Sequence, residues 1–134
     1  MPIQLNKRKL QQIRQNLPNV GEQFVRAWAT EMTSDIVLSF GSSPPGETYV
    51  RGGVAHVASS PGFPPNVDIG ALKASMRWTP AGRMKAIIHD GVIYGVMLET
   101  GTERMAPRPF FTPVIVDWRQ NKFVPFARQF GLFR

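Results

Sequence analysis

The stretch from Tyr94 to Val116, Tyr-Gly-Val-Met-Leu-Glu-Thr-Gly-Thr-Glu-Arg-Met-Ala-Pro-Arg-Pro-Phe-Phe-Thr-Pro-Val-Ile-Val, limits the fold more than any other part of the chain. Gly101 sits between two threonines, where a residue free to take positive φ turns the backbone at low cost. Pro107, Pro109 and Pro113 each fix φ near −65° and bias the preceding residue toward extended geometry. Residues 101–113 therefore read as a proline-braced arm, stiff and extended from Met105 to Phe110, with Phe110 and Phe111 riding on it. Proline is tolerated in a first helical turn, so a helix starts around Pro113.

Upstream, residues 3–16 read as a short polar helix with a thin apolar stripe of Ile3, Leu10, Ile13 and Leu17, interrupted by Pro18. Asn19, with Glu22 three residues on, forms a loose capping box for a second helix over 19–40. On it Val20, Phe24, Trp28, Met32 and Ile36 recur every four residues, an apolar face that reads as core, with some of the aromatic width available to a neighbouring subunit. Gly41 to Gly46 stops the helix with two glycines and two prolines. Tyr49 to Val57 has β-rich ends around Gly52-Gly53, consistent with a small hairpin or an extended loop. The whole of 41–67 is long for an irregular connection. Such loops are functional or order on binding, so it reads as an extended assembly loop carrying Tyr49 and Phe63 to a neighbour.

Asp68 caps a turn through Ile69, Gly70 and Ala71. Alternation over Arg83 to Ile88 reads as a half-buried strand, and Asp90-Gly91 as a two-residue hairpin turn. Residues 75–100 then form a small antiparallel sheet, with Tyr94 to Glu99 able to curl into a helical turn. A helix over about Thr112 to Asn121 follows, then a shorter piece past Pro125 ending at Gly131. Phe130 and Phe133 near the terminus are either tucked under the domain or held by a partner; the partner is favoured. The fold class is α+β, a single domain over 1–134: a small antiparallel sheet packed by one long N-terminal helix and a C-terminal helix, with long Pro/Gly-rich loops.

Composition narrows the function. The 134 residues contain no cysteine, which excludes disulfide scaffolds, thiolate metal sites and cysteine nucleophiles. It also suits a protein made and folded in a reducing cytoplasm. No apolar run approaches the roughly 20 residues of a membrane span, and the basic Lys7-Arg8-Lys9 precedes no apolar core of a secretory signal. The net charge of +7, with 11 arginines to 5 lysines, draws the domain to polyanions, DNA first among them. The charge is nevertheless dispersed, and a basic solvated surface is the competing reading.

Signs of catalysis are thin. His89-Asp90 lacks the further ligands of a metal-dependent hydrolase, and Asp90 is better explained by its turn. His56 reads as a surface or interface histidine. No serine has a nucleophile-elbow context, and Gly52-Gly53 opens onto no helix with a lysine. The expectation is a non-enzyme with no cofactor and no metal. Glu99 stands within reach of Arg104 and Arg108, so a bidentate ion pair is expected, made either within the fold to lock the arm or across a subunit boundary.

Two blocks carry a family resemblance. Tyr94, Leu98-Glu99-Thr100-Gly101-Thr102 and Arg104-Met105-Ala106-Pro107-Arg108-Pro109-Phe110-Phe111-Thr112-Pro113 form the first. Pro61-Gly62-Phe63-Pro64-Pro65 followed by Asp68-Ile69-Gly70-Ala71-Leu72-Lys73-Ala74-Ser75-Met76 forms the second, with Ile69 where the pattern has threonine. In this order and spacing they resemble the minor tail-component family of long-tailed bacteriophages, the head–tail joining or tail-completion proteins. The resemblance implies a structural virion protein at the head–tail junction, ring-forming around the DNA channel, with sixfold symmetry to match the tail. Its partners would be copies of itself, the adjoining neck or connector and tail tube proteins, and packaged DNA, with no membrane. Tyr49, Phe63, Glu99, Arg104, Arg108, Phe110, Phe111, Phe130 and Phe133 are the expected interface residues. Arg51, Arg77, Arg83 and Arg108 are the candidates for DNA phosphates. A basic duplex-DNA-binding module without ring assembly is the alternative.

Overall fold

The computed structural model describes residues 6–68 and 70–132; the expectations placed on Ile3, Ile69 and Phe133 lie outside the described residues. The architecture is α+β. One helix, α1 (Lys7–Ser39), replaces the two expected, and it runs through Pro18. Its cap is Asn6, whose Oδ1 accepts the Lys9 N–H at 3.2 Å, and not Asn19. A proline removes one i→i−4 bond and crowds one carbonyl. The Lys-, Arg-, Leu- and Gln-rich run before it is helical by propensity, so the helix tolerates that single gap.

The segment expected to be a long loop is largely a β-hairpin. Strands β1 (Pro45–Arg51) and β2 (Val54–Ser59) pair antiparallel in a register that sets Tyr49 opposite His56 and Val50 opposite Ala55. Gly52 and Gly53 close it at φ +59° and +79°, a two-residue turn that needs positive φ twice. The short helix α2 (Ala71–Ser75) leads into β3 (Arg77–Pro80), which pairs with β4 (Ala86–His89). The strands thus form two separate two-stranded sheets. Asp90-Gly91 does not start a return strand. Asp90 Oδ1 accepts the Val92 N–H at 3.2 Å, its carboxylate packs against buried Gly95, and the chain enters helix α3 (Gly95–Thr100).

At the C-terminal end, α4 (Thr112–Asp117), a π-helical turn (Trp118–Lys122) and α5 (Phe123–Gln129) follow without interruption. Pro125 was expected to break this helix. The wide turn lies directly before it, where the proline ring would otherwise meet the Asn121 carbonyl.

Two apolar clusters hold these elements. Ile36, Phe40, Leu72, Met76 and Phe110 form the buried core, with Met32, Ile88, Leu98, Phe111 and Val114 packed around it. The second is aromatic: Phe24 and Trp28 of α1 meet Trp118, Phe123, Phe126 and Phe130 at centroid distances of 4.8 to 6.4 Å. The four-residue period along α1 is core, as expected for Phe24 and Ile36. Trp118, buried, donates its indole N–H to Asp35 at 2.7 Å, and Lys122 reaches the same oxygen at 2.8 Å. The turn before β4 docks on α1 through Glu22, whose carboxylate accepts the Met84 N–H at 2.7 Å. Gly21 makes room there, since a Cβ would come within 2.5 Å of the Met84 sulfur.

Candidate functional site

The proline-braced arm is built into the fold. Thr102 and Met105 close a tight turn with two backbone bonds of 2.8 and 3.2 Å. Gly101, at φ +77°, sits where a Cβ would be 2.9 Å from the Met105 carbonyl and from Pro107. The Arg108 N–H then donates to the Leu98 carbonyl at 2.7 Å, and the Gly62 N–H to the Pro107 carbonyl at 2.9 Å. The arm therefore folds back over the end of α3 and carries Phe110, fully buried, into the core.

Glu99 is the clamp. No ion pair joins it to Arg104 or Arg108 among the described residues. Its carboxylate accepts instead from the backbone N–H groups of Phe110 (2.8 Å), Phe111 (3.0 Å) and Thr112 (2.8 Å) and from the Thr112 hydroxyl (2.6 Å). These are donors at a helix start, which lack intrahelical partners and favour a negative charge. Burial pushes the Glu99 carboxyl upward, but the Thr112 hydroxyl and the three N–H groups outweigh it and hold the group below the ordinary carboxylate range. The expected Glu99–arginine pair is thus replaced by a cap.

A second polar centre, not foreseen as one, is Asp68. Its Oδ2 accepts from the Tyr49 hydroxyl at 3.2 Å and from Arg51 at 2.9 Å. Its Oδ1 lies 2.8 Å from His56 Nδ1, and the Tyr49 and His56 rings stack at 5.6 Å. Burial, then the Asp68 charge, raise the Tyr49 phenol. Tyr49, Arg51 and His56 share one face of the hairpin, because alternate residues of β1 and their cross-strand partners point the same way. The opposite face presents Val50, Ala55 and Val57 to solvent, Val50 72% and Val57 47% exposed. A cleft of about 490 Å³ lies between the polar face, the segment around Asp68, and Arg108.

The residues singled out from the sequence divide accordingly. Tyr49, Phe63 and Arg104 are exposed, as an interface role requires. Phe110 and Phe111 belong to the core and Glu99 to the clamp, so these three are corrected from interface to internal roles. Phe130 is half-buried on Phe24 and Phe126, at 5.4 and 5.3 Å; it is tucked under the domain. Arg108 is half-buried, with Nε donating to the Ser59 carbonyl at 3.2 Å, and Arg51 is engaged by Asp68. Of the four DNA candidates, only Arg77 and Arg83 are exposed without an ion pair among the described residues. The exposed aliphatics were missed, although their alternation along β1 and β2 was visible. The apolar stripe expected at Leu10, Ile13 and Leu17 lies on α1, each residue about half exposed.

Among the described residues no helix is long and apolar enough to cross a membrane, and no three His, Cys, Asp or Glu side chains gather to hold a metal ion. Comparisons with family models, with curated proteins and with solved structures find no match.

Proposed function

We propose that this chain is a non-catalytic structural subunit of a long-tailed phage particle, joining head to tail as a ring of copies, six by analogy with the tail. The observation that carries the reading is a hairpin with aliphatic residues bare on both faces. A sheet with one wet face ordinarily places polar residues outward; here Val50, Ala55 and Val57 face solvent on one side, and Val54, 58% exposed, stands with Tyr49, Arg51 and His56 on the other. Two strands paired only with each other are marginal on their own, and their free edges invite another chain. A ring interface is heterologous, one patch meeting a different patch on the next copy. The hairpin on one side and the exposed stripe of α1 on another supply two such patches. The sequence blocks around Gly62 and Gly101 support the same family reading, and the net charge of +7 suits a subunit beside DNA.

The test is particle assembly in a phage that encodes this chain. Without the protein, electron micrographs should show filled heads beside unattached tails, and wild-type protein should rescue joining. A folded Val50→Glu/Val57→Glu double variant should not. Complete particles formed in its absence would reject the reading. The alternative, a lone basic DNA-binding module, predicts instead that the purified protein grips duplex DNA as a monomer with steep salt dependence.

A further inference from the structure

The cleft beside the hairpin has a chemistry that neither fold nor ring assembly requires. Its floor is apolar, with Phe40 and Leu72 both buried. Two cations border it without an ion pair among the described residues: Lys73, exposed on α2, and Arg108, whose Nε is held by the Ser59 carbonyl while its two terminal nitrogens make no hydrogen bond among the described residues. The other cation, Arg51, and its counter-charge Asp68 are satisfied by each other, which leaves exposed Glu47 as the opposing charge among the lining residues. Four buried side-chain polar atoms lack a hydrogen-bond partner among the described residues, and three of them belong to residues that line this cleft: Ser59 Oγ, Asn66 Oδ1 and Asp68 Oδ1. Asp68 Oδ1 has His56 Nδ1 close by, but the other two have nothing. Ser59 is 1% exposed. Buried polar groups are ordinarily paired, and an unpaired one costs free energy.

We propose that the cleft binds an extended segment of a partner protein that carries an acidic side chain next to an aliphatic one. The carboxylate meets the terminal nitrogens of Arg108, a geometry suited to bidentate pairing, with Lys73 as the second lining cation. The aliphatic neighbour fills the floor over Phe40 and Leu72. This assignment does not depend on ring assembly.

The experiment is an amide-resolved NMR titration of the whole chain with three probes: acetyl-Leu-Glu-Leu-amide, its Gln counterpart, and hexanoate. The Glu peptide should shift the amides of Ser59, Asn66 and Lys73 saturably. The Gln peptide should bind at least about tenfold more weakly, the scale of losing one charge-assisted hydrogen bond. Arg108→Gln should weaken the Glu peptide by a similar factor, and Ala71→Phe, which puts a ring into the cleft, should abolish its binding. Should Arg108→Gln fail to fold, the exposed Lys73→Gln carries the charge test. No saturation by about 10 mM, the weak end of specific recognition, would overturn the site. Equal binding of the Glu and Gln peptides, or no loss in the folded charge variant, would overturn the carboxylate. Hexanoate binding as tightly as the Glu peptide would overturn the peptide in favour of a free acid.

Discussion

Replacing Glu99 by alanine tests the clamp that fixes the arm to the C-terminal helix. The carboxylate serves three backbone N–H groups and one hydroxyl. Losing a helix-start cap costs about 1 kcal/mol. Phe110 is fully buried, so its stranded N–H adds about 1–3 kcal/mol. A loss of about 3 kcal/mol is the expected total, since Thr112 is exposed and its donors recover water. At about 2.1 cal/mol/K per residue, 134 residues give an unfolding entropy near 0.28 kcal/mol/K, so the melting temperature should fall by about 10 °C. Calorimetry with urea unfolding measures both quantities. Arg104→Ala should be nearly silent, because Arg104 makes no ion pair among the described residues. A Glu99→Ala loss below about 0.5 kcal/mol, the range of an unremarkable surface change, would refute the clamp. A large Arg104→Ala effect would restore the ion-pair alternative.

The same carboxylate has a pH signature. Its folded-state pKa is depressed, so its contribution is present above the unfolded value of about 4.3 and is lost as pH falls through the folded value. Wild-type melting temperature should therefore fall below about pH 4.3 more steeply than that of Glu99→Gln; parallel curves would contradict it. Gly101→Ala should cost about 1–3 kcal/mol from its backbone conformation, plus a clash with Met105 and Pro107. Gly52→Ala, also at positive φ but with nothing within 4 Å, should cost about 1–2 kcal/mol; chemical denaturation ranks the two, and equal losses would refute the close approach. Asp35→Ala should destabilise by about 1–3 kcal/mol, because it strands the buried Trp118 indole N–H. Lys122→Met, which breaks only exposed ion pairs, should cost at most about 1 kcal/mol.

Several features are legible from the residues alone because they are local. The four-residue period from Phe24 to Ile36 marks a buried helical face, Gly52-Gly53 supports a hairpin turn, and Thr112-Pro113 marks a helix start. Other features depend on what arrives from elsewhere in the chain. Charge written in the sequence points Glu99 toward arginine partners, whereas the three backbone N–H groups that hold it are invisible there. Pro18 and Pro125 were read as breaks because proline removes a bond locally. One gap in a strongly helical run, and one wide π turn, absorb them. Asp90-Gly91 resembles a hairpin turn until Gly95 packs against the Asp90 carboxylate and commits the chain to a helix. Asp68 reads locally as a turn cap, because nothing nearby in the sequence announces that Tyr49, Arg51 and His56 converge on it.

The most direct test of the account is the mass of the purified protein by light scattering, over rising concentration and with isolated tails added. Self-assembly through the bare aliphatic hairpin predicts a closed species near six times the 15.0 kDa chain mass, formed freely or on the tail end, and lost in Val50→Glu/Val57→Glu. A species that stays at the mass of a single chain under every condition, tails included, would contradict it.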